Sequence, residues 1–117
     1  MKIGIVGSRG FKDYNILTEK LKDIETDIKV VISGGAPGAD RLAEKWAKEH
    51  GKLLTVYPAD WLTYGKSAGY IRNADIVKNS DKIIAFWDGE SKGTKHTINL
   101  CKKNNKECEI ILVLIEN

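Results

Sequence analysis

The chain has 117 residues, 42% hydrophobic and 30% charged, with a formal net charge of +3 and a pI near 8.8. That length sets one domain over residues 1–117, and the balance is that of an ordinary soluble globular protein. The mild positive charge sits mostly on scattered lysines such as Lys20, Lys22, Lys45 and Lys48, without a clustered basic patch, so nucleic acid is not expected as a partner.

Cys101 and Cys108 have no metal-ligand spacing and no histidine partner, so they read as thiols of a reducing cytoplasm. Neither a metal nor a cofactor is expected. The sequence opens on a strand without a signal peptide, and no apolar run approaches the ~20 residues of a membrane span. A cytoplasmic protein with no membrane partner is the expectation.

In chain order, the first strand runs from Lys2 to Val6 and exits into Gly7-Ser8-Arg9-Gly10-Phe11. Arg9 there can pair bidentately with a phosphate, and the Ser8 hydroxyl can donate to it. A helix-capping serine and a solvated arginine are the structural alternative. Phe11 can stack on a base or staple the helix that follows, about Tyr14 to Ile24, with its stripe of Leu17, Leu21 and Ile24.

The second strand, Val30-Val31-Ile32, runs into Ser33-Gly34-Gly35-Ala36-Pro37-Gly38, which opens a helix over Ala39 to His50. Ala39, Leu42, Ala43, Trp46 and Ala47 form its apolar face, and Gly51 sits where a C′ residue would end it. Glycines at such a junction let backbone amides approach a ligand, and a helix N-terminus favours anions. Gly34, Gly35, Ala36 and Gly38 are therefore candidate cradle residues for the phosphate of a nucleotide-like molecule. Asp40, in the first helical turn, either satisfies a free amide or accepts a ribose hydroxyl.

A third strand, Leu53 to Tyr57, delivers the irregular stretch Pro58 to Gly69, and a third helix follows from about Lys66 to Asn79. Arg72 and Asn73 near its start are candidate ligand groups, with Asp75 as the surface partner that could neutralise Arg72 instead. The fourth strand, Ile83 to Trp87, exits into Asp88-Gly89-Glu90-Ser91-Lys92-Gly93-Thr94. Ser91, Gly93 and Thr94 there form a second possible anion cradle or a simple N-cap. Trp61 and Trp87 flank the proposed cleft and can sandwich a base. A last helix, Thr94 to Asn104, leads to a fifth strand, Ile110 to Ile115.

Nearly continuous apolar strands point to a sheet covered on both faces. Their alternation with helices implies an α/β, Rossmann-like architecture: a five-stranded, mostly parallel sheet joined by right-handed crossovers. Four polar or glycine-bearing loops then converge on the carboxyl edge, where open α/β sheets bind ligands.

Gly7-Ser8-Arg9, Gly34-Gly35-Ala36-Pro37-Gly38-Ala39-Asp40-Arg41-Leu42-Ala43, Pro58-Ala59-Asp60-Trp61 with Gly65 and Ala68-Gly69, Arg72-Asn73, and Ala85-Phe86-Trp87-Asp88 with Ser91-Lys92-Gly93-Thr94 form an ordered set. From Met1 to about Leu100 it resembles the YspA-like branch of the SLOG superfamily. That superfamily is related to the LONELY GUY phosphoribohydrolases and to DNA-processing protein A. The resemblance implies a Rossmann-like domain that binds nucleotide-derived molecules, of a kind found in bacteria and phages. Its preferred binding residues fall on Gly7, Ser8, Arg9, Gly34, Gly35, Arg72, Asn73, Ser91, Gly93 and Thr94.

The phosphoribohydrolases carry a glutamate three residues beyond the threonine of their glycine-threonine turn, and here that place holds Thr97. A hydroxyl cannot replace a carboxylate as a base near neutral pH. Asp60 or Asp88 would have to substitute. The reading is thus a sensor or sequestering protein for an ADP-ribose-like molecule, a cyclic nucleotide or a nucleoside phosphate. An N-glycosidase acting on nucleoside monophosphates is the alternative. A homodimer or higher homo-oligomer is expected.

Overall fold

A computed structural model describes residues 1–115; the last two residues of the unit expected over 1–117 lie outside it. Five strands form one parallel sheet: β1 (Lys2–Gly7), β2 (Val30–Ser33), β3 (Leu53–Val56), β4 (Lys82–Trp87) and β5 (Cys108–Leu112), in the order β3-β2-β1-β4-β5. All four pairings are parallel, with Ile3 opposite both Val31 and Lys82. The helices are α1 (Tyr14–Lys22), α2 (Ala39–Glu49), the single turn α3 (Trp61–Tyr64), α4 (Ala68–Asn79) and α5 (Lys92–Lys103). This is the Rossmann-like α/β arrangement implied by the sequence pattern.

The pleat sorts the strand side chains into two cores. Ile3, Ile5, Ile84 and Phe86 point to the layer of α1 and α2, where Leu17, Leu21, Ala43 and Trp46 meet them. Val6, Ile83 and Ala85 point the other way, onto Ile76 and Val77 of α4 and Ile98 and Cys101 of α5. Coverage on both faces holds for β1, β2 and β4. It fails at the edges: Leu53 of β3 and Leu112 of β5 remain 71% and 72% exposed.

Some boundaries move for local reasons. Asp13 caps α1 by accepting from the Ile16 amide, and the chain after Lys22 tightens into a single 3-10 turn at Glu25–Asp27. The loop after β3 holds α3, capped by the Asp60 side chain, and a 3-10 turn over Gly65–Ser67 before α4 begins. The last strand starts two residues earlier than its apolar run and ends at Leu112. Among the described residues no helix is long and apolar enough to cross a membrane.

Candidate functional site

The connections from β1 and β2 lead to one face of the sheet, and those into and out of β4 to the other. The loops after β1 and β4 therefore part at the carboxyl edge and leave a crevice between them. A cleft of about 360 Å³ occupies that place. Gly7, Arg9 and Gly10 come from the β1 loop, and Ala36 and Asp40 from the junction of β2 with α2. Arg72, Asn73 and Ile76 come from α4, and Ser91, Lys92, Gly93, Thr94 and Thr97 from the start of α5.

The two glycine turns behave differently. At the β2–α2 turn three amides are paired within the protein. The Gly35 amide donates to Ser33 Oγ (3.1 Å), the Ala36 amide to Asp40 Oδ2 (3.1 Å) and the Ala39 amide to the Ser8 carbonyl (3.3 Å). Gly38, at a φ of +85°, passes so close to the Ser8 and Arg9 carbonyls that a side chain there would collide with backbone. Gly34 lies beneath Arg72 and Asp40; a Cβ on it would stand 2.8 Å from both Arg72 Nη1 and Asp40 Oδ2. This turn is a packed junction in which the Gly35, Ala36 and Ala39 amides expected to meet a phosphate are bonded within the protein.

The α5 terminus is open. Its first helical bond runs from the Lys95 amide to the Ser91 carbonyl (3.1 Å), so the amides of Lys92, Gly93 and Thr94 precede helical pairing. Ser91 supplies no side-chain cap to them. Their orientation is fixed from behind: Asn73 Nδ2 and Thr97 Oγ1 both donate to the Gly93 carbonyl (3.3 Å each). The β4–α5 loop is tied down by Asp88, whose carboxylate accepts from the Ser91 amide (2.8 Å), the Glu90 amide (2.9 Å) and the Ser91 hydroxyl (3.2 Å). Those bonds, the Ser91 amide first, hold the Asp88 carboxyl below the usual carboxylate range.

Two arginines line the same cleft. Arg72 donates from Nη1 to the Gly34 carbonyl (2.8 Å) and from Nε to Asn73 Oδ1 (3.0 Å), which fixes its plane and leaves further N–H groups toward the cleft. Burial lowers its pKa, Asp40 raises it and the charge of Arg9 lowers it again, so the two arginines feel each other. Asp40 is the only carboxylate among the cleft's lining residues. Burial pushes its pKa up to about 6, against the opposing pull of the Ala36 amide and of Arg72, with Glu44 adding to the rise. Two cations and open helix-terminal amides against one carboxylate make the hollow suited to an anion.

The structure brings Gly7, Arg9, Ala36, Asp40, Arg72, Asn73, Ser91, Gly93 and Thr94 to this cleft, and Trp61 to a second hollow beside it. Ser8 is buried beneath the floor: its hydroxyl oxygen accepts from the Asp88 amide (3.0 Å) and lies in hydrogen-bond contact with the Ser91 hydroxyl (3.0 Å), so its role is to join the β1 and β4 loops. Phe11 is buried and stacked on Phe86 at 5.1 Å, closed to any base. Trp87 packs on the α4–α5 core and donates its indole N–H to the Ser91 carbonyl (3.1 Å) rather than flanking the cleft. Gly34, Gly35 and Gly38 do not line the cleft. The sequence reading missed Lys92, Thr97, Lys66 and Tyr70; the first two lie within a helical turn of Gly93 and were within reach of i+4 spacing.

A parallel five-stranded sheet with a cleft at its topological switch point defines a Rossmann-like α/β protein. Residues 1–64 match the model of the YspA, cpYpsA-related SLOG family, and the chain belongs to that family. It is 36% identical over 112 residues to the Gene 61 protein of Mycobacterium phage D29, covering 87% of this chain and 89% of that one.

In three dimensions the chain is similar to DNA processing protein A (DprA) of Streptococcus pneumoniae, with a TM-score of 0.81 at 18% identity over 99% of this chain. It is also similar to DprA of Helicobacter pylori, with a TM-score of 0.69 at 20% identity over its full length. It spans 52% of the first and 67% of the second. The Helicobacter structure is of a single-stranded DNA binding mode. A protein of this fold therefore takes nucleic acid, and the exclusion of that partner class on the lack of a basic stripe does not stand. The stripe is a criterion suited to duplex phosphates; single strands need only a few cations and exposed aromatic faces.

Proposed function

We propose that this protein binds a nucleotide-derived small molecule, with a phosphate seated on the Lys92, Gly93 and Thr94 amides between Arg9 and Arg72. The reading covers an ADP-ribose-like molecule, a cyclic nucleotide or a nucleoside phosphate, held by a sensor or a sequestering protein. One observation carries it: Arg9, Arg72 and the uncapped N-terminus of α5 line one cleft that holds a single carboxylate, Asp40. An anion there balances the two cations. Calorimetric titration with AMP, ADP-ribose and a cyclic mononucleotide, against adenosine, tests it. Heat with the phosphates and little with adenosine is expected; no heat and no melting shift with any of them refutes it.

A second reading, a single-stranded nucleic acid whose phosphodiester uses the same seat, is favoured by the exposed rings of Trp61, Tyr64 and Tyr70 and by the Helicobacter neighbour. An oligodeoxynucleotide whose affinity falls steeply with salt, and exceeds that of AMP at equal salt, would decide for it. The N-glycosidase alternative has less support. Asp60 caps α3 and Asp88 holds the β4–α5 loop, and neither lines the cleft, which leaves Asp40 as the one carboxylate placed for such chemistry. Release of free base from a nucleoside monophosphate, abolished by Asp40→Asn, would restore it.

A further inference from the structure

Cys101 and Cys108 are the two cysteines of the chain, and neither lines the cleft. The strand register brings them together. Cys108 opens β5 opposite Ile83 of β4, and side chains paired across a parallel ladder leave the sheet by the same face. Ile83 faces the layer of α4 and α5, so Cys108 does too, and it packs on the core that contains Ile83, Ile98 and Cys101. Glu109, the next residue, leaves by the other face and pairs with Lys20 of α1.

Cys101 reaches the same point from the buried side of α5. The turn 102–107 between the two is closed tightly. The Asn104 amide donates to the Leu100 carbonyl (3.0 Å) and the Lys106 amide to the Cys101 carbonyl (2.8 Å), with Asn105 at a φ of +53°. The thiols themselves are in hydrogen-bond contact, Cys101 donating to Cys108. We propose that Cys101 and Cys108 form a reversible disulfide on meeting a low-molecular-weight disulfide, which makes the junction of α5 with β5 an oxidation site. The proposal is independent of the phosphate seat at the other end of α5.

The two sulfurs are placed for separate steps. Cys108 is half-buried, and the bond from Cys101 and the charge of Lys102 draw its pKa down against its burial. Cys101 is buried, and its bond to Cys108 and its burial both push its pKa up. The thiolate is the reacting form, so Cys108 attacks first. It forms a bond to one sulfur of the small disulfide RSSR, whose S–S bond breaks to release RS⁻. The Cys101 sulfur then attacks the Cys108 sulfur, the mixed S–S bond breaks and the second RS⁻ leaves. The two cysteine protons end on the two RS⁻, so RSSR is reduced to two RSH while the protein thiols are oxidised to one disulfide. Sulfurs already in contact reach bonding distance by a short approach.

The test incubates the reduced full chain with oxidised and reduced glutathione at a series of ratios, alkylates what remains free and weighs the intact protein. A monomer about 2 Da lighter than the reduced chain, free of glutathione and of alkyl groups, is expected, and excess dithiothreitol should restore both thiols. Half-oxidation of the native chain should fall at a glutathione ratio about ten-fold more reducing than in urea, because the fold already holds the sulfurs together. Cys101→Ala should stop at one glutathione on Cys108. Cys108→Ala should leave Cys101 about ten-fold slower toward the alkylating agent than Cys108 is in the parent. A parent chain that accumulates the glutathione adduct, cross-links into dimers or keeps both thiols free at the most oxidising ratio overturns the proposal. So does a native half-oxidation point equal to that in urea. Should Cys101→Ala fail to fold, the parent chain still decides, since its mass and its half-oxidation point need neither variant.

Discussion

Replacing Asp40 by asparagine separates the energetic role of this carboxylate from its role in binding. Its pKa in the fold is about 6 against 3.8 for the unperturbed group, because burial disfavours the charge more than the Ala36 amide and Arg72 favour it. Between those two pH values the folded chain holds a proton that the unfolded chain has released, so stability falls as pH rises from about 4 to about 6 and is level above. The shift corresponds to about 3 kcal/mol, an upper figure for a group that relaxes on ionising. An asparagine side chain has nearly the same shape, can keep the bond from the Ala36 amide and carries no charge. The Asp40→Asn variant should therefore match the parent at pH 4 and exceed it by about 1–3 kcal/mol at pH 7.5. Urea unfolding of both proteins across that range gives a difference curve in which the other titrating groups cancel. A flat difference curve, or a variant less stable than the parent at pH 7.5, would refute the reasoning. The same variant leaves Arg72 without its opposing charge, so inorganic phosphate should bind more tightly to it. If Asp40 also accepts a ribose hydroxyl, ribose 5-phosphate will gain less than phosphate does.

Ser8→Ala removes the acceptor of the Asp88 amide and the hydrogen-bond partner of the Ser91 hydroxyl at a buried position. Chemical unfolding should show a loss of about 1–3 kcal/mol, with weaker AMP binding as the α5 terminus loosens. Phe11→Ala should cost about 3–5 kcal/mol in the same assay, yet leave AMP affinity intact under conditions where the variant is folded. Arg72→Lys keeps the charge but not the planar fork that joins the Gly34 carbonyl to Asn73, and calorimetry should show at least a ten-fold loss of AMP affinity, about 1.4 kcal/mol. Self-association, expected from the exposed Leu112 and Leu114, should appear as a dimer in sedimentation and be lost in Leu112→Lys.

Much of the architecture was legible because the local signals agree with one another. The β1, β2 and β4 runs are apolar on both faces, and Gly51 with a positive φ closes the region after α2 as its position suggested. The edge strands misled because apolar content alone does not tell a covered face from a bare one, as Leu53 and Leu112 show. The helix α3 went unseen because a single turn has no periodicity to detect; only the Asp60 cap marks it.

Arg9, Arg72, Asn73, Gly93 and Thr94, which line one cleft, are singled out in the sequence by their places at strand exits and helix starts. In the glycine turn after β2 the Gly35 and Ala36 amides are taken by Ser33 and Asp40, and motif residues do not announce which donors are already paired. Phe11 and Trp87 were assigned to the ligand by proximity in sequence to the cleft, whereas the direction of each ring, inward onto Phe86 or onto the α4–α5 core, is set by packing. Tyr70 gave no signal, since its place in the same hollow as Trp61 depends on the path of the chain between them.

The seat of the phosphate is tested most directly by following backbone amide resonances while AMP is added to the isotopically labelled protein. The largest shifts should fall on Lys92, Gly93 and Thr94, with the side-chain signals of Arg9 and Arg72 moving in parallel. Shifts confined to the Gly34–Gly38 turn, or none at saturating AMP, would contradict a phosphate seat on the α5 terminus.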